Sequence, residues 1–247
     1  MIFLQLRGME EEFMSLRNFY FLPVFIILTV FFSLLAMLVA LFDSSGNRSH
    51  QVAALWATSS LFLSGVRVRI IHQDLLTPGQ PYIFAANHQS AFDILALLSK
   101  LKVQFRWLAK DSLFTIPIFG WAMKRTGYIP INRSNPKQAY QSLLQAAQKV
   151  KQGTSILIFP EGTRQTENHL GAFKKGGFIL ALKSQKPIVP IGLLGSARVL
   201  PKKSFRITPG TIQIVLGRPI STEGYHTKNA EVLMEKVRGA IEENLKQ

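Results

Sequence analysis

The chain has no cysteine among its 247 residues. Disulfides, cysteine zinc sites and a thiol nucleophile are therefore excluded, and any covalent intermediate would have to use another residue. No Gly-x-Ser-x-Gly occurs, which removes the nucleophile elbow that a serine lipase or thioesterase needs. Aromatic-rich RNP patterns, zinc fingers and a separate basic arm are all lacking, so nucleic acid is not an expected partner. There is no internal repeat or low-complexity stretch, and no metal or cofactor is expected. Carboxylates are scarce, with 14 Asp and Glu against 29 Lys and Arg.

The charge that is present is unevenly spread. Residues 1–65 carry a net −1, and residues 66–247 carry the remaining +16. A basic globular part suits phosphate, either in an anionic membrane headgroup or in a small substrate. The apolar content is 47% with a mean hydropathy of +0.17, and the surplus is local. Phe19 to Phe42 run 24 positions without a charge, enough for the roughly 30 Å of a bilayer core. The run exceeds a signal-peptide core of roughly 7 to 15 residues, and Glu10, Glu11 and Glu12 precede it, so it reads as a membrane segment. A shorter apolar stretch, Gln51 to Gly65, follows a polar loop with turn chemistry, and the pair reads as a helical hairpin over residues 1–65. Pro23 and Ser33 can bend the first helix, the second is too short to cross upright, and basic residues flank both sides at Arg17, Arg67 and Arg69. These features predict a hairpin seated in one leaflet. The loop from Asp43 to Gln51 would then need far headgroups or water.

From Val66 onward β-rich runs alternate with helical patterns, which predicts an α/β domain over 66–247: a mixed, mainly central sheet flanked by helices. Seven strands are expected, at 66–71, 82–86, 103–108, 128–131, 155–159, 188–193 and 211–216. Helices are expected at 91–99, 118–125, 136–152, 172–184 and 229–245, the third opened by Asn135 as N-cap with Pro136 in its first turn.

The stretch after the second expected strand carries the chemistry: Asn87, His88, Gln89, Ser90, Ala91, Phe92, Asp93. Residues five apart lie about 140° round a helix, so His88 must precede the helix if it is to meet Asp93. With Ser90 as N-cap, Asp93 falls at N3 and its carboxylate points back over the helix start. It can orient one imidazole nitrogen while the other takes a proton from a hydroxyl. A plain capping box beside an incidental histidine would look the same. His50, His72, His169 and His226 lack any partner pattern and read as surface residues.

Three further blocks lie at strand ends: Gly127 to Arg133, Phe159-Pro160-Glu161-Gly162-Thr163-Arg164, and Ile188-Val189-Pro190-Ile191-Gly192. Ligands of open α/β sheets collect at such carboxyl ends, so one pocket holding His88, Arg133, Glu161 and Arg164 is the economical reading. In order and spacing these blocks resemble the glycerolipid acyltransferase family, in its 1-acylglycerol-3-phosphate branch. The resemblance implies acyl transfer from a thioester, acyl-CoA or acyl-carrier protein, to the sn-2 hydroxyl of lysophosphatidic acid. It implies His88 and Asp93 as base and orienter, and Arg133, Arg164 and Lys110 as phosphate ligands. Asn87, Glu161, Gly162, Thr163 and Pro190 are further motif residues, Glu161 holding an arginine or a substrate hydroxyl or serving as a structural ion-pair partner. The implied setting is the cytoplasmic face of the cell's inner membrane. A relative acting on glycerol-3-phosphate or another lysophospholipid would keep the same motifs, and a non-catalytic binder of anionic lipid would leave the His-Asp pair unexplained.

Overall fold

A computed structural model describes residues 2–247 apart from Asn168, with side chains from Asn18 onward. Seven strands form one sheet: β1 (Arg67–Ile71), β2 (Ile83–Ala86), β3 (Phe105–Lys110), β4 (Ile129–Ile131), β5 (Ser155–Ile158), β6 (Ile188–Leu194) and β7 (Thr211–Leu216). Their order is β1-β7-β6-β2-β5-β3-β4. Every neighbouring pair is parallel except β6 with β7. The sheet is therefore mixed, as expected, and its pairing is mainly parallel.

Eight helices accompany it: α1 (Ile2–Val39), α2 (Asn47–Ser64), α3 (Phe92–Lys100), α4 (Phe119–Arg125), α5 (Pro136–Lys151), α6 (Gly176–Ser184), the single turn α7 (Ser196–Val199) and α8 (Ala230–Asn244). Alternation along the strands gives each sheet face its own core. Phe84, Phe105, Trp107, Leu157 and Ile191 pack with α3 and α2 on one face. Ile83, Ile129, Ile156 and Ile188 pack with α5, α6 and α8 on the other. Asn135 caps α5 by accepting from the Gln138 N–H at 3.1 Å, and Pro136 opens its first turn.

The N-terminal helices form a hairpin. α1 begins well before the apolar run and continues through Pro23. Within it, Asn18–Val39 is long and apolar enough to cross a membrane by length and composition, with mean hydropathy 2.8 and only 11% of its most apolar window buried. Its remaining face meets α2 and α3: Ser49 Oγ donates to the Ala36 carbonyl, Trp56 Nε1 to Thr29 Oγ1, and Phe21 stacks on Phe92.

The polar loop joining α1 to α2 is docked on protein. The buried Arg106 guanidinium reaches from β3 to the Ser45 carbonyl at 3.0 Å and to Asn47 Oδ1 at 2.7 Å. Gly46, at φ 72°, lies so close to the backbone before β4 that a Cβ there would sit 2.5 Å from the Thr126 carbonyl oxygen. His50 belongs to this junction, which corrects its reading as a surface residue. It is buried, its Nδ1 lies 3.1 Å from the Tyr128 hydroxyl, and its ring meets Phe105 edge-on. Burial, helped by the Arg106 charge, pushes its pKa down to about 3. His72, His169 and His226 are exposed, as expected.

Candidate active site

The strands β2, β5, β3 and β4 are parallel and adjacent, so their carboxyl ends form one edge. His88 follows β2, Gly162 to Arg164 follow β5, Lys110 ends β3 and Arg133 follows β4. Topology alone brings these four segments together, and all line one cavity of about 780 Å³.

His88 Nδ1 lies 2.8 Å from Asp93 Oδ2. The same oxygen accepts the Gln89 and Ser90 N–H groups, each at 2.8 Å, so three donors converge on a fully buried carboxylate. This is the backward-pointing geometry expected for an acid in the first turn, displaced slightly because α3 begins at Phe92. Ser90 accepts the Phe92 N–H on its hydroxyl and donates that hydroxyl to the Leu200 carbonyl. Because Asp93 fixes Nδ1 as the donor, His88 keeps Nε2 free as an acceptor. The imidazole lies flat on Phe159 with 3.9 Å between ring centroids, and Phe159 stacks in turn on Trp107. A motif reading gave Phe159 and Trp107 no role. The aromatic residue opening Phe-Pro-Glu was the available signal.

Among the described residues Glu161 makes no ion pair with an arginine or lysine, and its carboxylate holds backbone. Its Oε1 accepts the His88 N–H at 2.8 Å and its Oε2 accepts the Gly171 N–H at 2.7 Å. Burial pushes its pKa up, and those two hydrogen bonds oppose the rise. It therefore staples the backbone at His88 to the loop before α6. A Cβ at Gly171 would lie 2.5 Å from Gln165 Nε2 and 3.0 Å from Glu161 Oε2, so these two side chains close over this glycine. Sequence reasoning missed this glycine. Asn87 plays a similar part, exchanging two hydrogen bonds with the Leu193 backbone across to β6.

The cations sit on the cavity rim. Arg133 donates through Nη1 to the Gly162 carbonyl, and Gly162 adopts φ 75° with the Lys174 side chain beside it. The Arg164 and Lys110 side chains make no hydrogen bond or ion pair with the described residues, and Thr163 lies exposed between Gly162 and Arg164. Pro190 is not part of the cavity. It lies within β6, its ring faces Gly217, and its carbonyl accepts from Gly217 and Asn244. From His88 the cavity runs between α1 and α3 along Phe21, Phe25, Phe32, Trp56, Leu95 and Met123, a lining that is almost wholly apolar. Among the described residues no cluster of His, Asp or Glu suits a metal ion.

The arrangement offers a proton acceptor, a cationic rim and an apolar trough meeting at one point. Against known proteins, a family model described as Acyltransferase matches residues 67–194. A chloroplastic 1-acyl-sn-glycerol-3-phosphate acyltransferase of Arabidopsis thaliana is 35% identical over 210 residues, which are 84% of this chain and 57% of that protein. The chain thus spans little more than half of that relative's length. A human 1-acyl-sn-glycerol-3-phosphate acyltransferase alpha is 30% identical over 213 residues, covering 86% of this chain and 75% of that one. The crystal structure of the 1-acyl-sn-glycerophosphate acyltransferase PlsC from Thermotoga maritima shares the fold, with TM-score 0.77 over 95% of this chain and 97% of that one at 22% identity. With the matched region spanning β1 to β6 and the segments that carry His88, Lys110, Arg133 and Gly162 to Arg164, this chain belongs to the acyltransferase family.

Proposed function

We propose that the chain transfers a fatty acyl group from acyl-CoA or acyl-carrier protein to the sn-2 hydroxyl of lysophosphatidic acid, yielding phosphatidic acid for phospholipid synthesis. The observation that carries this reading is the 2.8 Å His88–Asp93 contact at the point where the cationic rim meets the apolar trough. The names of the relatives agree with it. His88 Nε2 takes the hydroxyl proton as that oxygen attacks the thioester carbonyl carbon. The tetrahedral intermediate collapses with cleavage of the C–S bond, and the His88 imidazolium returns its proton to the departing sulfur, which leaves as the thiol and restores the neutral base. Asp93 fixes the tautomer and stabilises the imidazolium.

Arg133, Arg164 and Lys110 are assigned to the acceptor phosphate, because guanidinium groups offer a planar fork of donors and the side chains of two of the three cations have no partner among the described residues. The trough suits an acyl chain, whose burial is favourable by about 0.8 kcal/mol per methylene. The test uses purified protein, lysophosphatidic acid and a labelled acyl thioester. Phosphatidic acid should form only with acceptor present; release of free fatty acid alone would reject transfer.

The same reading divides the chain into a membrane-binding hairpin over 1–65 and a catalytic domain over 66–247, with the hairpin entering one leaflet from the cytoplasmic face of the inner membrane. Docking of its polar loop on Arg106 supports this, since the loop needs neither far headgroups nor a thinned bilayer. Cysteines placed at Gln5 and Gln247 should react alike with an impermeant reagent in intact cells; reaction of only the first would establish a span.

A further inference from the structure

Between α7 and β7 the chain crosses the rim of the cavity, and both ends of this crossing are tied down. The Leu200 carbonyl accepts the Ser90 hydroxyl at 2.8 Å, which fixes one end to the start of α3. The Ile207 N–H donates to Asn18 Oδ1 at 2.6 Å and its carbonyl accepts from Asn18 Nδ2, which fixes the other end to α1. The Thr208 N–H closes the base on the Val199 carbonyl. Leu200 and Ile207 are packed into the core. Between these anchors a turn from Pro201 to Ser204, with Lys203 at φ 67°, throws the following residues outward.

What it throws outward is Phe205, 89% exposed, with Lys202, Lys203 and Arg206 around it, all exposed. No carboxylate occurs between Leu200 and Gln213, and these three side chains make no hydrogen bond or ion pair with the described residues. A single exposed apolar residue needs no explanation. Here, however, the Asn18 tie fixes Ile207, two residues beyond Phe205, against the residue that precedes Phe19, itself 84% exposed and at the start of the apolar run of α1. An aromatic flanked by cations and continuous with an unburied apolar helix has the composition of a bilayer boundary.

We propose that the loop from Pro201 to Arg206 is a second membrane contact, distinct from α1. Phe205 enters the bilayer just below the headgroups, while Lys202, Lys203 and Arg206 bind the phosphates of anionic lipids at the mouth of the cavity. The inference rests on the membrane reading of α1 given above and adds where the surface touches and what chemistry it selects. Its consequence is local enrichment: Ser204 and Phe205 also line the cavity, so anionic headgroups gathered here are next to the opening through which an anionic acceptor must pass. An acidic carrier protein would also be attracted by three cations. It has no use for an exposed phenylalanine in a loop tied to the bare apolar helix, which favours lipid.

The absence of cysteine makes the test direct. Phe205→Cys and, separately, Phe19→Cys in the full chain are labelled with an environment-sensitive fluorophore and mixed with vesicles of phosphatidylcholine alone or with added phosphatidylglycerol. Both labels should shift to the blue, and lipids brominated near the headgroup should quench the label at 205 more than lipids brominated near the chain ends. Each cation near an anionic surface changes partitioning about fivefold, so the triple variant K202Q/K203Q/R206Q should lose on the order of 100-fold for anionic vesicles at low salt and little for neutral ones. A label at 19 that enters the bilayer while the label at 205 stays in water would overturn the second contact and leave the membrane reading intact. If neither enters, both fall. Unchanged vesicle binding by the triple variant, with loss confined to turnover of an acyl-carrier donor, would also overturn the proposal in favour of a protein partner.

Discussion

Asp93→Asn separates the orienting role of this carboxylate from its role in building α3. In the folded chain Asp93 Oδ2 accepts from His88, Gln89 and Ser90, whereas Oδ1 is buried with no partner. An asparagine can offer its carbonyl oxygen to the same three donors and place its NH₂ where Oδ1 already goes unpaired, so the geometry should survive. What is lost is the charge. Only one of the three interactions changes during the reaction, because imidazolium forms on His88. With charge centres about 4 Å apart and an effective dielectric constant of about 20, the forfeited attraction is about 4 kcal/mol, or roughly 10³ in rate. That lies within the 10² to 10⁴ typical of general-base help. The assay is acceptor-dependent phosphatidic acid formation by Asp93→Asn, His88→Ala and the double variant, with thermal unfolding as a control on folding. If the two residues act as one device, the double variant should be no slower than His88→Ala alone. Independent, multiplicative losses would refute the coupling and reduce Asp93 to a helix cap.

Three other outcomes are expected. Arg133→Ala and Arg164→Ala should each raise KM for lysophosphatidic acid tenfold or more, from charge-assisted bonds worth about 1.5 to 3 kcal/mol, with a smaller effect on the acyl donor; equal effects on both substrates would argue against a phosphate clamp. Gly46→Ala should unseat the hairpin turn, since a left-handed φ costs about 1 kcal/mol for alanine and the 2.5 Å approach to Thr126 adds overpacking of about 1 to 3 kcal/mol, read as a lower Tm and faster proteolysis at residues 43–47. His50 contributes a pH term: its folded pKa of about 3 lies below the ordinary 6.5, so the stability that depends on its neutral form is present above pH 6.5 and declines as pH falls toward 3, by about 1.4 kcal/mol per pH unit. His50→Gln should flatten unfolding free energy across that window relative to wild type.

The strands were legible because each is a short apolar run bounded by turn residues, and all seven fall within a few residues of their expected places. His88 and Asp93 were legible because helix geometry allows only one way for them to meet. The misreadings have a common cause, which is contact between segments distant in sequence. His50 looks like a surface residue until α2 folds against Phe105 and Tyr128, seventy-eight positions away in the latter case. Arg106 sits in a strand pattern without any local carboxylate, and its Nη2 donates to backbone and amide oxygens of the hairpin loop while its Nη1 donates to the neighbouring Gln104 and Phe105. The trough needs α1, whose periodicity gives only an apolar segment and no hint that one side is lined against α3 while the other stays bare.

The motif residues divide by what they touch, and the division explains why one short motif contains such different chemistry. His88, Lys110, Arg133, Thr163 and Arg164 face the cavity. Asn87, Asp93 and Glu161 face backbone: between them their side chains accept N–H groups from His88, Gln89, Ser90, Gly171 and Leu193. A segment that leaves a strand end and turns sharply into a cavity cannot give its N–H groups to sheet or helix, and in a dry interior each unpaired one costs about 1 to 3 kcal/mol. Carboxylates are strong acceptors for such groups, which is why two of the few acidic residues of a +15 chain are buried in hydrogen-bond contact with the proposed base. Asp93 belongs to both sets, because one oxygen serves the backbone and the imidazole together. Glu161 belongs only to the second. Its loss should therefore slow catalysis by moving His88, with donor and acceptor KM changing together, whereas loss of a rim cation should act mainly on the acceptor.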